Sequence, residues 1–360
     1  MLLKVNPIEP EGDIIQQAAE VIRRGGLVAF PTETVYGLGA DALNPEAVAG
    51  IFAAKERPPY DPIIVHVASL EELWRVARDL PPQAHDLIQT FWPGPLTLIL
   101  PRAEALPAGV TAGLDTVAVR MPAHPVALAL IRAAGTPIAA PSANLFGHTS
   151  PTTAQHVLDD LGERVDLILD GGPTPIGVES TVLDLSGEKP TILRPGGTSR
   201  EALSLVLGEI ALGPASSAPP SEGDEREGED GLKSPGLLKR HYAPRAALLF
   251  FRGPPAETLV AMQARLDELL SAGRRVGLLI AYEDRGAFAG RPVVVEDLGR
   301  RDHLGHVAAR LFAALRALDR QGVEVILARD FGATGLGLAI EDRLTKAAGG
   351  RVIEVSPAQG

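Results

Sequence analysis

The sequence contains no cysteine. Disulfides, thiolate zinc sites, iron–sulfur clusters and a cysteine nucleophile are therefore excluded, and cysteine usage says nothing about the redox compartment. Long apolar runs are missing too: no uninterrupted stretch approaches the ~18 residues of a membrane span, and Pro7, Glu9, Pro10 and Glu11 stand where a signal peptide needs an apolar segment. These features lead us to expect a soluble, cytoplasmic protein. Positive charge is in deficit, with 34 basic against 45 acidic side chains and a net charge of −11. That balance disfavours a whole-surface grip on nucleic acid, which needs clustered Lys and Arg, but leaves room for a local basic site. Lysine is scarce, at positions 4, 55, 189, 233, 239 and 346 only, and the arginine excess fits either heat adaptation or GC-rich coding. Neither G-x-x-x-x-G-K-[ST] nor H-E-x-x-H occurs, which closes the P-loop and zincin readings.

What is present is an apolar fraction of 45% in 360 residues, with 38 Gly and 31 Pro, enough for a full core and by size for two domains. We place a first domain over 1–210, a linker over 211–245 and a second domain over 246–360. Residues 213–231 read GPASSAPPSEGDEREGEDG, too acidic and too poor in apolar groups to offset their ordering entropy, and are expected to be mobile. Next comes Ser234–Pro244, SPGLLKRHYAP, different in kind and expected to dock. The first domain alternates strands and helices: a helix capped by Asp13 through Arg24, strand 27–30, helix 45–55 with Pro at its first turn, strand 63–67, and helix 69–80 with the box Ser69-x-x-Glu72. Further strands are expected at 96–100, 116–121, 137–140, 166–169, 180–185 and 191–194, which together make a mixed α/β sheet. After the linker the order is strand 247–251, helix 256–271, strands 275–281 and 292–295, helix 303–320, strand 323–328, helix 338–348 and strand 351–355. This is the rhythm of a small parallel, Rossmann-like sheet. The turn Gly332-Ala-Thr-Gly335-Leu-Gly337 follows a strand and opens a helix, but its G-x-x-G-x-G spacing suits a tight turn better than a dinucleotide loop.

Five segments at strand or helix ends carry unusual polar content: Pro31-Thr-Glu-Thr-Val-Tyr-Gly-Leu-Gly39, Lys55-Glu-Arg-Pro-Pro-Tyr-Asp-Pro62, Pro141-Ser-Ala-Asn144 running to Ser150, Glu179-Ser-Thr181, and Leu193-Arg-Pro-Gly-Gly197. Loops held by a rigid sheet are where binding groups concentrate. Lys55 and Arg57, at a helix end, read either as solvated cations complementing the helix dipole or as a pair converging on one anion. With Ser142, Asn144, Ser150 and Arg194 they suit a polyphosphate. Arg120 ends a strand whose alternation puts Thr116, Ala118 and Arg120 on one face; it reads equally as a solvent-exposed edge arginine or as a carboxylate clamp. His66 lies inside an apolar strand and, alone, reads as a core residue. His85, His124, His156, His303 and His306 show no metal-ligand spacing, so no metal cage is expected. Trp74 and Trp92 are assigned to packing.

The motifs PTETVYGLG, KERP, PSAN, ESTVLDL and LRPGG, in this order, resemble the YrdC-type threonylcarbamoyl-AMP synthases over about residues 10–205. SPGLLKRHYAP and GLGLAIEDRLTKAA at 335–348 resemble the long two-domain version of that family. The resemblance implies a YrdC-like twisted mixed α/β sheet with a large cavity, followed by a smaller Rossmann-like parallel α/β domain. It implies synthesis of L-threonylcarbamoyl-AMP and pyrophosphate from L-threonine, bicarbonate or CO2, and ATP, for N6-threonylcarbamoyladenosine at tRNA position 37. Carried onto matching positions, Lys55, Arg57, Asp61, Thr116, Ser142, Asn144, Ser150 and Arg194 would line the nucleotide, with Lys55 and Arg57 catalytic. Thr34, His66, Arg120, Ala140 through its backbone, and Ser180 would hold threonine. Tyr242 or its neighbours would close over the nucleotide, making the second domain a lid or support. Mg2+ is expected to arrive with ATP, without a protein-built metal site. A handover to the tRNA threonylcarbamoyl transferase complex is a possible partnership, with weak or indirect tRNA contact and no membrane. Two other readings are an RNA-binding module, against which the net charge counts, and the carbamoyl adenylation of hydrogenase maturation, whose zinc-finger cysteines are missing.

Overall fold

The computed structural model describes residues 1–213, 236 and 241–357. Residues 214–231 of the segment expected to be a mobile linker, and Ser234, Pro235 and 237–240 of the docking motif, lie outside the described residues. Those described form two compact units, residues 1–146 with 150–213, and residues 147–149 with 241–357.

In chain order the first unit comprises β1 (Leu2–Lys4), α1 (Gly12–Arg23), β2 (Val28–Phe30), β3 (Gly37–Asp41), α2 (Pro45–Lys55), β4 (Val65–His66), α3 (Leu70–Val76), α4 (Pro82–Phe91) and β5 (Leu96–Pro101). It continues with β6 (Thr116–Arg120), α5 (Pro125–Ala134), β7 (Ile138–Ala139), α6 (Ala154–Leu161), β8 (Leu167–Asp170), β9 (Thr181–Asp184), β10 (Thr191–Arg194), α7 (Arg200–Leu207) and β11 (Ala211–Leu212). The strands form one mixed sheet in the order β1-β8-β2-β3-β7-β4-β6-β5-β9-β10-β11. Alternation along β2 explains how it is covered on both faces. Val28 and Phe30 join α1 and α5 in one core cluster, while Ala29 joins residues of α2, α4, α6 and α7 in another.

Several local expectations change. Asp13 does not cap α1: Glu11 holds the cap position without a side-chain bond, and Asp13 lies in the first turn. The helix from Ser69 stops at Val76, because Ala77 turns extended and bridges to Arg102. Ser69 caps it by accepting from the Glu72 N–H, and Glu72 reaches back to the Ala68 N–H. The segment PTETVYGLG is not all loop, since its second half is β3. Gly39 in that strand reflects crowding: a Cβ there would lie 2.7 Å from the Phe30 ring and 2.8 Å from Ile138. Helices α4 to α7 were not drawn from the sequence.

The second unit comprises β12 (Ala247–Arg252), α8 (Pro255–Ser271), β13 (Val276–Ile280), β14 (Val294–Asp297), α9 (Leu304–Arg320), β15 (Val325–Arg329), α10 (Leu336–Ala348) and β16 (Val352–Glu354). All its strand pairs are parallel, in the order β14-β13-β15-β12-β16. β15 thus separates β12 from β13, unlike the usual dinucleotide-binding order, in which the first two strands are neighbours. The glycine-rich turn before α10 is closed on itself. The Gly337 N–H donates to the Thr334 carbonyl at 2.9 Å, and a Cβ on Gly337 would lie 2.2 Å from the Gly332 carbonyl oxygen.

Candidate functional site

Backbone hydrogen bonds staple the polar segments of the first unit to one another. The Ile176 and Gly177 N–H groups donate to the carbonyls of Glu33 and Thr34 at 2.9 and 3.0 Å, and Tyr36 N–H donates to the Pro151 carbonyl at 2.9 Å. Ala143 N–H reaches the Tyr36 carbonyl at 2.8 Å, Phe146 N–H the Lys55 carbonyl at 2.9 Å, and Gly197 N–H the Glu179 carbonyl at 3.0 Å. Segments 31–39, 55–62, 141–151, 176–181 and 193–197 therefore converge.

One group of cations gathers at the end of α2. Asn44 caps this helix by accepting from the Glu46 and Ala47 N–H groups, Pro45 sits in its first turn, and Glu56 leaves it in the left-handed region at φ 54°. Lys55 is thereby the last helical residue, and it is only 1% exposed. Its Nζ donates to the Ser142 carbonyl at 2.5 Å and to the Asn144 carbonyl. Carbonyls replace lost hydration without cancelling the charge. Burial first, and then the charge of Arg57, push the Lys55 ammonium well below its ordinary range, against the pull of Asp61 and Asp160. Arg57 Nε donates to the Asp61 carbonyl at 3.1 Å and Nη2 to that of Pro62 at 2.7 Å, with Nη2 also 2.9 Å from Asp61 Oδ2. Burial raises the Asp61 carboxyl, while Arg57, Lys55 and Arg194 pull it down, which makes these four charges one electrostatic cluster.

A second group crosses the middle of the sheet. Arg120 of β6 lies in register with His66 of β4 on one side and Thr97 of β5 on the other, so their side chains share a face. Arg120 Nη1 donates to Thr34 Oγ1 at 2.8 Å, Nε to the Gly94 carbonyl at 3.1 Å, and Nη2 is 2.6 Å from Glu33 Oε1. His66 is buried with its ring edge-on to Phe30, and burial, reinforced by Arg120, lowers it to about 3. It is therefore a neutral imidazole at pH 7. Ser180 connects the two groups. Its Oγ lies 2.7 Å from Thr97 Oγ1, and Arg194 Nη2 donates to its carbonyl at 3.0 Å and its Oγ at 3.1 Å.

Most residues anticipated from sequence fall on this framework. Arg120 is not a solvent-exposed edge arginine but 3% exposed between two strands. Ser142 and Asn144 hold Lys55 through their carbonyls, Ala140 is buried and gives its N–H to Ile64, and Ser150 Oγ donates to the Glu179 carboxylate. Thr116, half-buried, opens β6 four residues before Arg120. Tyr242 belongs to the second unit, where it is buried at φ 59° with its ring 5.7 Å from that of Phe312 and the Arg343 guanidinium 5.0 Å above it. Sequence reading missed three polar groups. Glu33 and Glu179 stand inside motifs already quoted, while Thr97 had its own signal, one hydroxyl within the apolar run Leu96-Thr-Leu-Ile-Leu100.

A mixed α/β sheet that buries two linked cation groups, followed by a parallel α/β unit, defines the class of the chain: a two-unit protein of the YrdC type. The chain belongs to the threonylcarbamoyl-AMP synthase family. Residues 20–196 match the family model described as "Telomere recombination", and residues 198–349 match "Threonylcarbamoyl-AMP synthase, C-terminal domain". The chain is 49% identical to the threonylcarbamoyl-AMP synthase of Bacillus subtilis (strain 168), with 94% of each chain covered. It is 47% identical to that of Pyrococcus abyssi, covering 95% of this chain and 96% of the relative. The crystal structure of P. abyssi Sua5 complexed with L-threonine superposes with a TM-score of 0.91 at 45% identity over 99% of both chains.

Proposed function

We propose that this chain condenses L-threonine, bicarbonate or CO2, and ATP into L-threonylcarbamoyl-AMP and pyrophosphate, in the cytoplasm, for modification of adenosine 37 of tRNA. The observation that carries this reading is the polar row Arg194–Ser180–Thr97–Arg120, which joins a polyphosphate-sized cation cluster to a single clamped arginine. A two-ended substrate set needs such a site. Lys55, Arg57, Asp61, Thr116, Ser142, Asn144, Ser150 and Arg194 take the nucleotide; Arg120 takes the threonine carboxylate, aided by Thr34, His66, Ser180 and the Ala140 backbone. In this reading residues 1–210 carry the reaction, and the docking motif of the 211–245 linker, through Tyr242, closes over the nucleotide with the second unit as support.

Threonine nitrogen attacks CO2, forming the N–C bond of a carbamate and releasing a proton. A carbamate oxygen then attacks the α-phosphorus, the bond to the β-phosphate oxygen breaks, and pyrophosphate leaves. Charge develops on phosphate oxygens throughout, so positioned cations matter more than a strong base. Asp61, Glu33 and Glu179 are already engaged by Arg57, Arg120 and Ser150. With those carboxylates occupied, a Mg2+ would be carried in on the ATP phosphates and completed by water, and would supply charge neutralisation there. Threonine would be favoured over serine through one methyl contact, about 1–3 kcal/mol, so selection is partial. The adenylate then passes to the tRNA-modifying transferase, with weak or indirect tRNA contact here.

Pyrophosphate release measured with Mg-ATP, omitting threonine or bicarbonate in turn, tests the reading. Release that requires both is expected; none under any condition, from folded protein, would sink it. A chain ended after Gly213 is expected to lose most turnover, and full activity there would remove the supporting role of the second unit.

A further inference from the structure

The carboxyl ends of β13 and β14 border a cavity of about 710 Å3 in the second unit, and none of its lining residues has a part in the reaction above. In open parallel sheets, ligands sit outside the carboxyl ends of the strands, and the volume suits a small molecule.

The lining is chemically divided. At one side Tyr282 is half-exposed, with the Arg285 guanidinium 5.7 Å from its ring centroid, a flat apolar surface backed by a cation that suits a planar base. In the middle Asp297, the last residue of β14, is fixed by the Gly299 N–H at 2.6 Å and by Arg285 at 3.4 Å. A carboxylate at a strand end is the group that accepts hydrogen bonds from ribose hydroxyls. At the other side stand His303, His306 and Arg310. Among the described residues their side chains have no hydrogen bond or ion pair, while nearby Arg300 is engaged by Asp302 at 2.9 and 3.0 Å. Gly299, at φ 105°, brings its backbone against His306, where a Cβ would lie 2.5 Å from Nδ1, so the loop fixes the imidazole. His303 heads the 17-residue α9, whose first turn has no acid and no side-chain cap; the His306 N–H turns back to the His303 carbonyl at 2.9 Å, which leaves the Leu304 and Gly305 amides to an anion.

We propose that this cavity binds a mononucleotide, its base on Tyr282 and Arg285, its ribose at Asp297, and its phosphate among His303, His306, Arg310 and the start of α9. The glycine-rich loop before α10 offers no comparable space, being closed on its own backbone.

Calorimetry with AMP and the full-length chain tests this. In the variant Lys55→Ala/Arg194→Ala, which silences the nucleotide site of the first unit, one AMP is expected to bind still. Adding Arg310→Glu and His306→Ala, both exposed, is expected to weaken that binding at least thirtyfold, and adenosine to bind at least tenfold more weakly than AMP. Photolabelling of the unaltered chain with 8-azido-AMP gives an independent readout, with label expected on peptides from residues 282–310. Absence of that label, or AMP binding unchanged by the Arg310 and His306 substitutions, would overturn the proposal. Inorganic phosphate binding as tightly as AMP would overturn the base and ribose assignments. Salt-dependent tRNA retention lost in Arg310→Glu, with no AMP binding, would reassign the cavity to a polynucleotide and overturn it too.

Discussion

Both units bury cations, but they hold them differently. In the first, Lys55 is held by two backbone carbonyls and Arg194 donates to the Ser180 carbonyl, while Arg57 and Arg120 combine carbonyls with the carboxylates of Asp61 and Glu33. In the second, Arg329 Nη1 lies 3.2 Å from both oxygens of Asp284, and Lys346 Nζ lies 2.6 and 2.9 Å from those of Asp342. Carbonyls solvate a charge and leave it available to an incoming anion; carboxylates cancel it. The first unit therefore stores positive potential where a substrate can use it, at a cost in stability, and the second uses ion pairs to hold its own elements together.

The sharpest way to break that distinction is to remove one cation and one carboxylate. Lys55→Ala is expected to lower threonine-dependent pyrophosphate release about 10³-fold, about 4 kcal/mol of transition-state stabilisation, with the melting temperature unchanged or raised. A melting temperature that collapses with the activity would make Lys55 structural. Asp284→Ala should do the opposite kind of damage. It leaves buried Arg329 with only the more distant Asp330, at 3.8 Å, as a carboxylate partner, strips Arg301 of its partner Asp284, and should destabilise the chain by about 3 kcal/mol, read as a lower urea midpoint at constant slope. A midpoint within error of the parent would show that the ion pair holds nothing.

The same contrast explains what the sequence could disclose. The second unit was readable almost element by element, because apolar strands and long amphipathic helices alternate there without functional interruption, as in Val276–Ile280 and Leu304–Arg320. In the first unit the motifs were legible and their scaffold less so. Gly37 and Gly39 suggest a loop but form a strand, because Phe30 and Ile138 leave no room for a Cβ at Gly39. β4 is only Val65–His66, although its apolar run is longer: the Ile64 carbonyl and the Val67 N–H each make one further bond, to Ala140 and Arg120, and the ladder goes no further. Spacing along the chain also left Arg120 equally exposed or clamped. Its burial follows from three strands meeting at one row, a long-range pairing that local pattern does not encode.

His66 tests how strongly the first unit's positive field reaches its neighbours. The unfolded imidazole takes up a proton near 6.5, whereas burial beside Arg120 lowers the folded group to about 3. The folded state thus prefers the neutral ring. Its stabilising contribution is complete above about pH 6.5 and is lost as pH falls toward 3, amounting to about 2 kcal/mol between pH 7 and 5. His66→Gln, neutral at every pH, is expected to remove that part of the acid destabilisation in urea titrations. An identical pH slope in parent and variant would place the titration elsewhere.

The smallest expected effect bears on the link between the two cation groups. Thr97 Oγ1 touches Ser180 Oγ, which Arg194 also engages, and Thr97 faces Arg120 across the strand pair. Thr97→Val keeps the shape and removes only the hydroxyl, so about 1 kcal/mol should be lost. If the row orients threonine at the junction with the nucleotide, the loss appears as about a fivefold higher KM for threonine, with KM for ATP unchanged. If the row is only packing, it appears in the urea midpoint and neither KM moves. A cycle with Ser180→Ala separates these cases, because a coupling of about 1 kcal/mol in the threonine term requires the two hydroxyls to act as one unit.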